Sequence, residues 1–125
     1  MATTYQSTTG LKSSLGDLAG VEGIRSAAIV SMDGFVIESV ASRNDVDTEA
    51  VGAVVSTALG STQVMGGELR VGKLTQLMVE YDDGVVVVTS LGNRAALAVV
   101  ASMGANLGNV RFQVKKRVAE LERML

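Results

Sequence analysis

Leucines at positions 11, 15 and 18 recur at the spacing that stacks side chains on one side of a helix. They predict a short first helix, capped by Thr8 or Thr9 and stopped at Gly20. Ile24 to Ser31 reads as a strand, and Asp33-Gly34 as the hairpin turn that follows it. Phe35 to Ala41 is a second strand, with Phe35, Ile37 and Ser39 alternating against Val36, Glu38 and Val40. A longer helix follows over Thr48 to Leu69. Asp47 is its predicted N-cap, and Glu49 sits where the helix dipole favours negative charge. Its predicted core stripe is Val51, Val54, Val55, Ala58, Thr62, Met65 and Leu69, and Gly66-Gly67 and Gly72 mark its end.

Three more strands are predicted. Leu74 to Tyr81 is closed by the turn Asp82-Asp83-Gly84. Val85 to Leu91 opens with four valines in a row, which predicts burial on both faces and a central place in the sheet. Gly92-Asn93 leads into the equally apolar Ala95 to Ala101. From Asn106 to Leu125 the helical period returns, with Leu107, Val110, Val114, Val118, Leu121 and Leu125 on one side. Arg111, Lys115, Lys116 and Arg123 lie on the rest of that helix, interleaved with Glu120 and Glu122, as a solvated face would be. The order helix, two strands, helix, three strands, helix (αββαβββα) specifies an α+β fold, a five-stranded, mostly antiparallel sheet with helices on its faces. The polar, Thr-rich start lacks the apolar core of a signal peptide. It reads as a flexible tail over residues 1–7 of a cytoplasmic protein, ahead of a single domain over 8–125.

Composition narrows the chemistry sharply. The chain has 125 residues with no Cys and no His. Disulfides, thiolate nucleophiles, Ser-His-Asp arrangements and His/Cys zinc sites are therefore impossible. Eleven basic against 13 acidic residues give no broad field to attract nucleic acid. The four aromatics, Tyr5, Phe35, Tyr81 and Phe112, are too few for base-stacking platforms or a flavin pocket. No apolar run approaches the roughly 18 residues of a membrane span, so no membrane insertion is expected. No catalytic residue, cofactor or metal ligand is assigned, and the expectation is a protein that is not an enzyme.

Several local patterns invite functional readings. Gly67 to Leu74 nearly matches a phosphate-binding loop, but Leu74 stands where the magnesium-binding hydroxyl belongs. A helix also precedes it and a strand follows, the reverse of the order that aims amides at phosphates. Asp45, Asp47 and Glu49 lack the Gly and distal Glu of a calcium loop and are read as capping residues. Glu80, Asp82 and Asp83 are read as turn chemistry. Phe112 falls off the apolar stripe of its helix and is a candidate partner contact. The second helix carries the strongest signal: Gly52, Ser56 and Gly60 recur every fourth residue, and Gln63 and Gly67 extend the line. Glycine inside a helix costs up to about 1 kcal/mol relative to alanine. Two explanations compete: close approach of another helix, which is favoured, or clearance for the protein's own sheet.

Ala27 to Ile37 (AAIVSMDGFVI) and Gln76 to Tyr81 (QLMVEY), in this order of elements, resemble the roadblock family. That family takes its name from a dynein light chain and includes bacterial regulators of Ras-like GTPases. The resemblance covers nearly everything after the tail. It implies a profilin-like sheet in the order second, first, fifth, fourth, third strand. It also implies a homodimer in which the third strands pair edge to edge and the second helices pack together. The expected dimer interface is Gly52, Ser56, Leu59, Gly60, Gln63, Gly67, Leu74, Gln76, Met78 and Glu80. The implied partner is a small Ras-like GTPase, bound and, as by some family members, stimulated to hydrolyse GTP; the candidate surface is Arg43, Thr57, Ser61, Glu68, Arg70 and Phe112. A small-molecule sensor and a passive assembly scaffold are the alternatives.

Overall fold

The computed structural model describes residues 2–41 and 47–125, with side chains from Gly10 onward except at Thr48. The elements are α1 (Ala2–Ala19), β1 (Ile24–Ser31), β2 (Val36–Ala41), α2 (Thr48–Glu68), β3 (Gln76–Tyr81), β4 (Gly84–Leu91), β5 (Ala95–Ser102) and α3 (Leu107–Met124). The sheet runs β2-β1-β5-β4-β3, with every neighbouring pair antiparallel. This is the order that the resemblance implied.

Two helices cover one face. Leu11, Leu15 and Leu18 of α1 and Val110, Val114 and Leu121 of α3 bury against Ile29, Val87, Leu97 and Val99 of the sheet. The opposite face holds a smaller core in which Val55 and Leu59 of α2 meet Ala28, Val30, Val88, Ala96 and Ala98. The valine run of β4 divides between them, with Val85 and Val87 on the first core and Val86 and Val88 on the second. Burial on both faces is what a run without alternation requires.

Some boundaries differ from the sequence reading. Helical backbone begins at Ala2, so Thr8 and Thr9 lie inside α1 and not at its cap, and helix extends into the segment read as a tail. A Thr- and Ser-rich stretch with no apolar stripe carries little helical signal of its own. Strand β3 starts at Gln76, two residues later than expected, and Phe35 belongs to the turn before β2. Asn106 and Asp47 do cap their helices: their side chains accept from Asn109 N–H at 3.0 Å and Ala50 N–H at 3.2 Å.

Candidate assembly and partner surfaces

A sheet of five strands has two edges, and here they differ. β2 pairs with β1 through a register shift between Ile29 and Val30, which leaves Ile37 as an extra residue. Such a bulge twists an edge away from further pairing. β3 pairs with β4 without a break from Gln76–Thr89 to Tyr81–Gly84. An antiparallel ladder turns every second residue's N–H and C=O outward. Counting back from the Tyr81–Gly84 pair that closes the two-residue turn, the outward groups belong to Glu80, Met78 and Gln76. Met78 packs on the core shared by α1 and α3, and Leu77 on the α2 side. The side chains of Gln76, Met78 and Glu80 therefore share the α3 face.

Helix α2 lies across the strands. Near its start a Cβ on Gly52 would come within 2.7 Å of the Gly34 carbonyl oxygen and 3.0 Å of Val36. Further along, Val55 and Leu59 fill the small-residue surface of β1 and β5, and its last turns reach β3. Its 21 residues span about 31 Å, whereas five strands cover about 19 Å between the outer axes. The helix is longer than the sheet is wide. Its apolar residues also spread around more of its circumference than the sheet contact covers: Val54, Val64, Met65 and Leu69, with Val71 just beyond, are each more than half exposed. Three of these, Val54, Met65 and Leu69, were expected in the core stripe. Thr62, Met65 and Leu69 line an open cleft of about 300 Å³ with Leu74 and Leu77.

The small-residue stripe divides. Gly52 is buried against its own sheet, so at this position clearance, and not another helix, explains the glycine. Leu59 is 2% exposed within the protomer. A second copy has almost none of its surface left to bury. Ser56 donates to the Ala53 carbonyl at 3.1 Å. Gly60 and Gly67 face open space, with nothing within 4 Å of an added Cβ, and Gln63 is exposed.

The candidate partner residues do not form one patch. Arg43 lies outside the described residues. Thr57, Ser61 and Glu68 are exposed on the side of α2 turned from the sheet. Phe112, 61% exposed on α3, instead lines a groove of about 1340 Å³ with Gln63, Gly67, Lys73 and Arg111. Arg70 ends α2. Val71 N–H donates to the Gly66 carbonyl at 3.0 Å and Arg70 N–H to the Gly67 carbonyl at 3.2 Å, closing a Schellman turn. Arg70 takes the left-handed position (φ 57°) that glycine usually fills. The near-match to a phosphate loop is thus a helix terminus. The sequence reading missed Lys73 and Arg111 as lining residues. Arg111 Nε donates to Gln76 Oε1 at 3.0 Å, a contact 35 residues apart that no local pattern announces.

The Roadblock/LC7 domain family matches residues 12–101. An uncharacterized protein of Methanocaldococcus jannaschii, MJ1340, is 32% identical over 108 residues, 86% of this chain and 93% of its own. Among solved structures, Myxococcus xanthus MglB superposes with a TM-score of 0.87 at 19% identity, covering 94% of this chain and 88% of MglB. An MglB structure described as having a tetrameric arrangement gives a TM-score of 0.82 at 20% identity, over 99% and 90% of the two chains.

Proposed function

Because the chain belongs to the Roadblock/LC7 domain family, we propose that it is a homodimeric regulatory module. In this reading its third strands pair edge to edge and the assembled surface binds a small Ras-like GTPase. The observation that carries the reading is the state of the β3 side of the molecule. A regular strand edge is left unpaired, and beside it the last turns of α2 expose Val64, Met65 and Leu69. Flat edges and contiguous apolar patches of this kind mark interaction sites.

A second copy, placed by a two-fold axis beside β3, covers both at once. Its β3 continues the sheet, and its α2 reaches over Leu77, Val79 and Val86, which this chain alone leaves half-buried. The flank of α2 that turns toward that surface carries Val54 and Met65. The flank with Gly52, Gln63 and Gly67 borders the β1–β2 turn and the groove beside the β4–β5 turn. The helix pair is thus proposed to meet through the apolar flank, while Gly60 lies beside Gly67 on the other side of the helix. The sides of α2 turned from both sheets, with Thr57, Ser61 and Glu68, then form a paired platform for the GTPase. Such GTPases order their switch segments around the γ-phosphate and magnesium, so a platform contacting them distinguishes the two nucleotide states.

Sedimentation at micromolar concentration is expected to give twice the chain mass. Ras-like GTPases from the same cell, loaded with GDP or a non-hydrolysable GTP analogue, are then titrated by calorimetry; tighter binding of the GTP form is expected. A monomer removes the dimer, equal affinities reduce the protein to a nucleotide-blind scaffold, and no binding by any of them removes the GTPase.

A further inference from the structure

The two ends of β3 carry opposite charge. The groove at its start is walled by Lys73, Arg111 and Lys115, with Glu122 as the one acid on its lining. The Gln76 contact fixes Arg111 above the outer face of the strand. At the other end of β3 lies Glu80, and Asp82 and Asp83 follow in the turn, all exposed. Among the described residues Arg117 forms ion pairs with Asp17 and Glu120, and neither group makes an ion pair with another described residue.

Antiparallel self-pairing sets each end against its opposite. For a two-fold axis perpendicular to the sheet, residues directly opposite must share a face, so the axis passes through a residue paired with itself. Centring on Met78 engages the outward backbone groups of Gln76, Met78 and Glu80 together. Centring on Leu77 or Val79 drops one of the three from the ladder. With Met78 on the axis, Gln76 faces the partner subunit's Glu80, and Lys73 lies beside the turn formed by the partner's Asp82 and the partner's Asp83. Arg111, already hydrogen-bonded to Gln76, is then within reach of the partner's Glu80.

We infer that the groove is the seat for the acidic β3–β4 turn of a second copy, with Met78 self-paired on the axis and Arg111 clamping the partner's Glu80. By symmetry the contact is made twice. The inference rests on the dimer reading above and adds its register and its charge code.

The test is a charge-reversal cycle read by sedimentation at low salt. Glu80→Arg and Arg111→Glu are each expected to raise the dimer dissociation constant about tenfold, since each places like charges at two related contacts. The combined variant is expected to restore it to within about threefold. Thermal melts of each variant check folding. The chain has no cysteine, so a second measurement is clean. Met78→Cys is expected to form an intersubunit disulfide on oxidation, its Cα atoms lying about 5.5 Å apart. Val79→Cys, whose copies lie beyond about 7 Å, is expected not to. A monomeric parent chain overturns the dimer itself. A dimer in which both single reversals are silent overturns the seat alone, and cross-linking through position 79 but not 78 overturns the register.

Discussion

The same substitution, glycine to alanine, is expected to act with opposite sign at two positions of one helix face. Alanine in a helix interior is favoured over glycine by about 0.5–1 kcal/mol, because the unfolded chain loses freedom and the helix keeps its form. At Gly60 a Cβ meets nothing within 4 Å, so within the protomer that gain is realised in full. At Gly52 the Cβ lands 2.7 Å from the Gly34 carbonyl oxygen and 3.0 Å from Val36. The first contact is with backbone, so the helix must lift from the β1–β2 turn by roughly half an ångström. Overpacking of this kind costs about 1–3 kcal/mol. Set against the helical gain, Gly52→Ala is expected to destabilise by about 1–2 kcal/mol, and Gly60→Ala to stabilise by about 0.5–1 kcal/mol. The assay is urea unfolding followed by circular dichroism, repeated at two protein concentrations to separate association from folding. Equal stabilisation by both variants would refute the packing of α2 on its own sheet. A loss of stability at Gly60 that grows with protein concentration would show the glycine seated against a second copy.

Three further outcomes are expected. Arg70→Gly relieves a left-handed backbone and is expected to stabilise by about 0.5–1 kcal/mol, read as a rise in Tm of a few degrees; a fall would show that the arginine side chain holds the turn. Leu59→Ala is expected to cost about 2–5 kcal/mol in chemical denaturation, while Val64→Ala, 65% exposed, leaves monomer stability within about 0.5 kcal/mol. Calorimetric titration with magnesium and ATP or GTP is expected to be flat, because Gly66 to Gly72 close a helix end; micromolar affinity would overturn that reading.

Most of the fold was legible because its elements announce themselves by period. The leucine spacing of α1, the valine run of β4 and the stripe of α3 each had one structural solution, and the predicted cap Asp47 marked a true helix start. Helix α2 was harder. Its apolar residues occupy more of its circumference than a single sheet contact can bury. Periodicity alone could not say which of Val54, Val55, Leu59 and Met65 face the sheet. What decides it is the alanine surface of β1 and β5, which sets how closely the helix sits, and that is a property of residues far away in sequence. The same limit hid Arg111. Its partner Gln76 lies on another element, and neither residue is unusual where it stands. Gly52 was singled out correctly as a glycine needing a reason, but the choice between a foreign helix and the protein's own turn depended on how Gly34 folds back beneath it.

The bulge in β2 has a consequence for growth. A sheet with two equally receptive edges can add neighbours without end, as filaments do, each new chain offering the edge that the last one used. Here one rim is interrupted at Ile37 and the other is straight. A chain with a single receptive rim can join only rim to like rim, and that union consumes both. Growth then halts by geometry, without any cap or chaperone. Deleting Ile37 would restore an unbroken register on the far side and, with it, the hazard of open-ended polymerisation.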